Sequence, residues 1–88
     1  MPMEHAGLIK LMEECGELTQ IAAKKVAFMH TDDHPDGAGS MKVRLEDEIA
    51  DVMAVCHMVI RNLKLDEEQI ERRKFRKIVL FTKWQNDE

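Results

Sequence analysis

Residues 8–28 read LIKLMEECGELTQIAAKKVAF, and this stretch decides the fold. Its apolar residues recur at alternating intervals of three and four, which is the spacing of a helix that packs against other helices. Within that pattern, Glu13, Glu14 and Glu17 place three carboxylates in five consecutive positions. Glu48 and Asp51 repeat the arrangement in a later apolar stretch. The sequence therefore predicts two packed helices that each carry a pair of carboxylates.

The spacing within each pair places its two carboxylates on one helix face. Residues three or four apart are neighbours on a helix, so Glu14 lies beside Glu17, and Glu48 lies beside Asp51. If the two faces meet, mutual repulsion raises the carboxylate pKa values unless cations lie between them. Mg²⁺ or Mn²⁺ is the natural cation for such a set of oxygen ligands.

Length and composition favour one small all-α domain that spans residues 1–88. Charged residues make up 34% of the chain, hydrophobic residues 44% and aromatic residues only 5%, which is typical of a helical rather than a strand-rich protein. The net charge of -4 argues against a nucleic-acid-binding protein. Because no apolar run is long enough to span a membrane and the N-terminus does not resemble a signal peptide, we expect a cytoplasmic protein without membrane contact.

Three main helices are expected. The first runs from about Met3 to about Phe28. The second starts at the N-cap Ser40 and ends near Asn62 or Leu63, and the third runs from the cap Asp66 to about Trp84. The segment Thr31–Ser40 contains proline, two glycines and three aspartates, so it is predicted to be a loop. It can act as a substrate lid or as an exposed linker.

Each helix has a predicted core-facing side. On the first helix the residues are Leu8, Leu11, Cys15, Leu18, Ala22 and Val26, and Ile9, Met12 and Ile21 broaden this side. On the third they are Ile70, Phe75, Ile78, Val79, Phe81 and Trp84. Cys15 and Cys56 are expected to be reduced, core-facing thiols.

The middle of the second helix is apolar on nearly all sides. Between Ile49 and Ile60 only Asp51 and His57 are polar. Two neighbouring helices cannot cover such a surface, so this segment predicts burial against another subunit. We expect a small helical bundle that is completed by oligomerisation, as a dimer at least.

The two acidic motifs resemble those of a known family. EExGEL at residues 13–18 and ExxDV at residues 48–52, each in a strongly apolar helix, are similar to the motifs of the MazG-like nucleoside triphosphate pyrophosphohydrolases. These belong to the superfamily of all-α NTP pyrophosphatases. The resemblance covers residues 8–84, including the basic last helix, which carries Arg72, Arg73, Lys74, Arg76 and Lys77.

The resemblance implies a homodimer or a dimer of dimers that hydrolyses a nucleoside triphosphate between the α and β phosphates. The expected products are the monophosphate and pyrophosphate. It also implies catalytic Mg²⁺, with Mn²⁺ as a substitute, held by Glu14, Glu17, Glu48 and Asp51. Glu13 would stand behind these ligands or act as an additional one. Lys74 and Lys77, together with Arg73, would bind the β and γ phosphates.

Two other classes of function compete with this interpretation. One is a non-catalytic helical dimer that binds nucleotide or metal as a sensor or partner protein. The other is a nucleic-acid-binding protein that uses the basic last helix, for which the acidic half of the chain is unfavourable. Loss of turnover on changing Glu48 or Asp51 to its amide distinguishes the enzyme from both.

Overall fold

The computed structural model describes residues 4–29 and 39–87, which form helices and no strand. A 3₁₀ turn, Glu4–Gly7, precedes α1 (Leu8–Ala27). Two further helices follow, α2 (Met41–Leu63) and α3 (Glu67–Asp87). The predicted all-α fold with three main helices is therefore confirmed. The predicted loop Thr31–Ser40 lies outside the described residues except for Gly39 and Ser40.

Side-chain caps fix the start of two helices at the predicted residues. The Ser40 hydroxyl accepts a hydrogen bond from the backbone N–H of Val43 at 3.2 Å. One carboxylate oxygen of Asp66 accepts from the backbone N–H of Gln69 at 3.0 Å. Each cap satisfies a backbone donor that the first turn of a helix leaves without a partner. The boundaries of α2 are those that the sequence predicts.

The first helix begins five residues later than predicted. His5 and Ala6 have φ values of 50° and 58°, and Gly7 has a φ of 92°. Three successive left-handed residues cannot continue a right-handed helix. The chain therefore turns before α1, and the backbone carbonyl of Ala6 accepts a hydrogen bond from the Asn62 side chain at 3.1 Å.

That hydrogen bond and the acidic residues show how α1 and α2 run. Ala6, just before α1, lies beside Asn62 near the end of α2, whereas Glu14 lies near Glu48 in the first half of α2. The start of α1 therefore lies beside the end of α2, and later residues of α1 lie beside earlier residues of α2. The two helices form an antiparallel hairpin.

A short row of apolar side chains forms the core of the hairpin. Its buried residues are Ala6, Ile21, Met41, Val55 and Val59, of which Met41 is fully buried. The predicted core-facing side of α1 is confirmed only in part. Ile21 is buried and Leu11 and Leu18 are half-buried, but Cys15 is exposed and Val26 is 75% exposed. The buried residues of α1 are Glu14 and Ile21. Cys15 follows Glu14 directly, so its side chain lies about 100° further around the helix and points away from the interface.

α3 packs poorly against the hairpin of its own chain. Phe75 is 67% exposed, and the other residues predicted to face the bundle are exposed as well, apart from the half-buried Ile70. The radius of gyration is 15.7 Å, against about 12 Å expected for a compact chain of this length. Within one chain, the predicted burial of α3 is therefore wrong, because no second helix in the described part of the chain covers its apolar side.

Met41 tests the core directly, because its side chain is 0% exposed. We expect Met41→Ala to lower the free energy of unfolding by about 2–5 kcal/mol, since it removes a buried side chain and leaves a cavity. Met12→Ala is the matched control, because Met12 is 63% exposed and its replacement should change stability by less than about 0.5 kcal/mol. Chemical denaturation monitored by circular dichroism measures both. Equal losses in the two variants would contradict the assigned core.

Candidate metal centre

Two glutamates occupy positions in the helix interface where an apolar residue is expected. Along α2, Glu48 lies midway between the buried residues Met41 and Val55, seven residues from each. Along α1, Glu14 precedes the buried Ile21 by seven residues. Because seven residues are close to two helical turns, both glutamates point into the same interface as the core. Each is only 7% exposed.

The two helices bring their acidic residues together. Ligand atoms of Glu14, Glu48 and Asp51 lie within 4.8 Å of one another, and so do those of Glu13, Glu14 and Glu17. Glu14 belongs to both groups. Across the interface, the structure brings Glu14 to Glu48 and Asp51, whereas Glu17 is grouped with Glu13 and Glu14 of its own helix. We call these five residues the acidic cluster.

The buried glutamates each keep one oxygen without a partner. Oε2 of Glu14 and Oε2 of Glu48 are inaccessible to solvent and form no hydrogen bond in the described part of the chain. A buried carboxylate oxygen without a partner is costly, and it is rare in folded proteins unless an ion or a water satisfies it. A hard divalent cation would do so, because Mg²⁺ is held by carboxylate oxygens and keeps several waters. The donor set of the cluster therefore fits Mg²⁺ or Mn²⁺.

The other oxygen of each buried glutamate has a basic partner that sequence reasoning missed. Lys10 Nζ lies 3.2 Å from Oε1 of Glu14 and 3.3 Å from Oε1 of Glu13. Arg44 Nη2 lies 3.5 Å from Oε1 of Glu48. In both cases the base precedes the buried glutamate by four residues, which is the spacing of neighbours on a helix face. That spacing is the sequence signal that could have identified them.

Crowding of the carboxylates raises the pKa of Glu17. The charge of Glu14 is the largest cause, followed by partial burial and by the charges of Glu48 and Glu13. Hydrogen bonds to Glu14 and Glu13 raise the pKa of Lys10 in turn. The cluster thus concentrates more negative charge than its basic neighbours neutralise.

Two of the bases predicted to bind phosphate contact residues of their own helix, α3. Lys74 pairs with Glu71 of its own helix at 2.9 Å, and Lys77 lies over the ring of Phe81, 5.7 Å from its centroid. Arg73 is exposed. Among the described residues, none of these three bases forms an ion pair with the acidic cluster, so their phosphate-binding role stays a prediction.

Lys74 instead borders a depression of about 380 Å³ between α2 and α3. Met53, Cys56, His57 and Ile60 of α2 form one wall, and Glu67, Ile70, Glu71 and Lys74 of α3 form the other. His57 is exposed there and is not among the residues that could hold a metal in the described ranges.

Three comparisons with known proteins find no relative of this chain. A scan against protein-family models, a search of curated proteins and a search of solved structures find no match for the chain. Among the helices described, none is long and apolar enough to cross a membrane.

The raised pKa of Glu17 predicts how the metal-free protein responds to pH. The folded state retains the Glu17 proton to a higher pH than the unfolded state, so stability falls as pH rises from the unfolded pKa through the folded one. We expect Glu17→Gln to raise the melting temperature in chelator at about pH 7. No gain is expected below the ordinary glutamate pKa of about 4.3.

Glu46→Gln is the matched control, because Glu46 is an exposed glutamate outside the cluster. It should shift the melting temperature little at either pH. A lower melting temperature for Glu17→Gln in chelator near pH 7 would show that repulsion does not govern this site.

Proposed function

We propose that the chain is an Mg²⁺-dependent nucleoside triphosphate pyrophosphohydrolase. It would cleave an NTP or dNTP between the α and β phosphates, giving the monophosphate and pyrophosphate. The observation that carries the proposal is the pair of buried, unpartnered oxygens on Glu14 and Glu48, which converge from two helices within reach of Asp51. An activity in cytoplasmic nucleotide metabolism is part of the proposal.

The chemistry of the donor set supports a phosphate substrate. Carboxylate sites that hold Mg²⁺ typically complete its coordination with water and substrate phosphates. A divalent cation bound here would supply an activated water and neutralise charge on the phosphates. The resemblance of EExGEL and ExxDV to the MazG-like family points to the same reaction.

The protein's own residues would have distinct tasks. Glu14, Glu17, Glu48 and Asp51 hold the cation, with Glu13 beside them. The attacking water forms a bond to the α phosphorus, and the bond to the bridging oxygen breaks, so pyrophosphate leaves. The proton released by the water is taken up by a carboxylate of the cluster.

Amide substitutions on α2 test the reaction. Glu48→Gln and Asp51→Asn should each reduce pyrophosphate release from a panel of ribo- and deoxyribonucleoside triphosphates by about 100-fold or more, because each removes a charged ligand. Glu46→Gln makes the same change on the same helix outside the cluster and should retain activity. Release should require Mg²⁺ or Mn²⁺ and stop in chelator.

Equal activity of Glu48→Gln and Glu46→Gln would reject the proposed site. The melting temperature should confirm that the variants are folded. In chelator, both cluster variants should be at least as stable as the parent protein, since each relieves repulsion.

One observation favours a second candidate, a non-catalytic helical dimer that binds metal or nucleotide as a sensor or partner protein. Among the described residues, the bases predicted to hold the β and γ phosphates form no ion pair with the cluster, and Lys74 is paired with Glu71. Metal-dependent nucleotide binding without turnover on any triphosphate of the panel would support this candidate.

An oligomer would cover the apolar surface that one chain leaves open. The accessible surface of the chain is 7039 Å², whereas a compact monomer of 10.2 kDa exposes about 5,300 Å². The difference of roughly 1,700 Å² exceeds the 800 Å² or so that each partner buries in a typical interface. Phe75 of α3 and Met53 of α2 are each 67% exposed and belong to this surface. We infer a homodimer or a dimer of dimers.

Sedimentation equilibrium tests the assembly. At micromolar concentration we expect a mass of two or four times the 10.2 kDa chain mass. Phe75→Asp should shift the distribution toward the single chain, because it places a charge in the apolar contact. Gln69→Asp, an exposed polar position on the same helix, is the control. A mass near 10.2 kDa for the unmodified protein would contradict the oligomer.

A further inference from the structure

Two basic side chains hold the acidic cluster in the same way from opposite ends. Lys10 contacts Oε1 of Glu14, and Arg44 contacts Oε1 of Glu48. Oε2 of each glutamate is buried and has no hydrogen-bond partner in the part of the chain that the structure describes. Each base lies four residues before its glutamate, or about 6 Å along the helix axis. Because α1 and α2 are antiparallel, these offsets point in opposite directions. The two bases therefore flank the cluster along the length of the hairpin.

Both bases are placed so that they can move. Their side chains are 43% and 45% exposed, in contrast to the buried glutamates they contact. A base that precedes its acid by four residues forms the less favourable of the two helical arrangements. Partly exposed ion pairs also contribute little to stability. Displacing either base from its glutamate should therefore cost little.

A divalent cation at the buried oxygens would compete with both bases. A cation bound by Glu14 and Glu48 would neutralise their carboxylates and repel the ammonium group of Lys10 and the guanidinium group of Arg44. Those groups then lack a partner, and the phosphates of a bound substrate can provide one through charge-assisted hydrogen bonds. Without the cation, a polyphosphate would meet a cluster in which acids outnumber bases.

We propose that Lys10 and Arg44 are tethered counter-ions that a divalent cation displaces and that then bind substrate phosphates, so that cation and polyphosphate each promote the binding of the other. This inference rests on the proposed function, because it takes the cluster as the cation site. It assigns phosphate contacts to residues of the same helices that carry the cluster. It does not depend on the bases of α3.

The first measurement is the binding of Mn²⁺ alone, followed by the loss of the free-ion signal in electron paramagnetic resonance. Removing a competing base should tighten this binding. We expect Lys10→Met and Arg44→Met each to lower the Mn²⁺ dissociation constant by about two- to fivefold, as the removal of a weak ion pair implies. Lys83→Met, an exposed lysine on α3, should leave it unchanged.

The second measurement is the binding of imidodiphosphate, a pyrophosphate analogue whose bridge is nitrogen, at saturating Mg²⁺ by calorimetry. Here the same two variants should bind about tenfold more weakly, because each loses a charge-assisted hydrogen bond to a phosphate. The opposite signs of the two effects are the signature of a displaced counter-ion. If Lys10 and Arg44 had only a structural role, their replacement would weaken the binding of both Mn²⁺ and imidodiphosphate.

Lys10→Gln and Arg44→Gln serve if the methionine variants fail to fold, because they keep a hydrogen-bond donor and remove the charge. Tighter Mn²⁺ binding with weaker imidodiphosphate binding supports the inference. Unchanged or weaker Mn²⁺ binding in the variants would overturn it while the cation site itself stands. If no variant and no parent protein binds Mn²⁺, the proposed function fails as well.

Discussion

Repulsion between Glu14 and Glu48 is the constraint on which the rest of the structure depends. Both side chains occupy core positions of the α1–α2 interface, where an apolar pair would stabilise the hairpin. Lys10 and Arg44 offset part of the negative charge at the edges, and one oxygen of each glutamate has no partner among the described residues. The hairpin thus gives up apolar packing at its centre. Under the proposed function, this loss would be the cost of a cation site, and real proteins commonly break packing rules at such positions.

The sequence could predict the fold and the meeting of the carboxylates because both depend on local periodicity. The caps Ser40 and Asp66 set helix boundaries through hydrogen bonds to backbone groups three residues away. The spacing of Glu48 and Asp51 places them on one face whatever lies around them. Convergence with Glu14 follows from the antiparallel packing of α1 and α2.

Other features depend on what lies beside each helix, and the sequence could not supply that. The alternating apolar residues of α1 fit more than one side of the helix, so the pattern selected a side with Cys15 and Val26, which are exposed. For α3, a row of apolar residues indicates a buried helix face, but it does not indicate whether the same chain or another subunit packs against that face. The left-handed residues His5 and Ala6 carry no turn signal of their own, since neither is glycine or proline.

The hydrogen bond between Asn62 and Ala6 closes the hairpin at the end where α3 departs, and the contacts of the hairpin join α1 to the next helix along the chain. α3 lacks comparable tertiary support in one chain, and an isolated helix of 21 residues is only moderately stable in water. Amide hydrogens of α1 and α2 should then exchange with solvent slowly, and those of α3 rapidly, in a separated chain. Protection of α3 would be a property of the assembly and would vary with protein concentration.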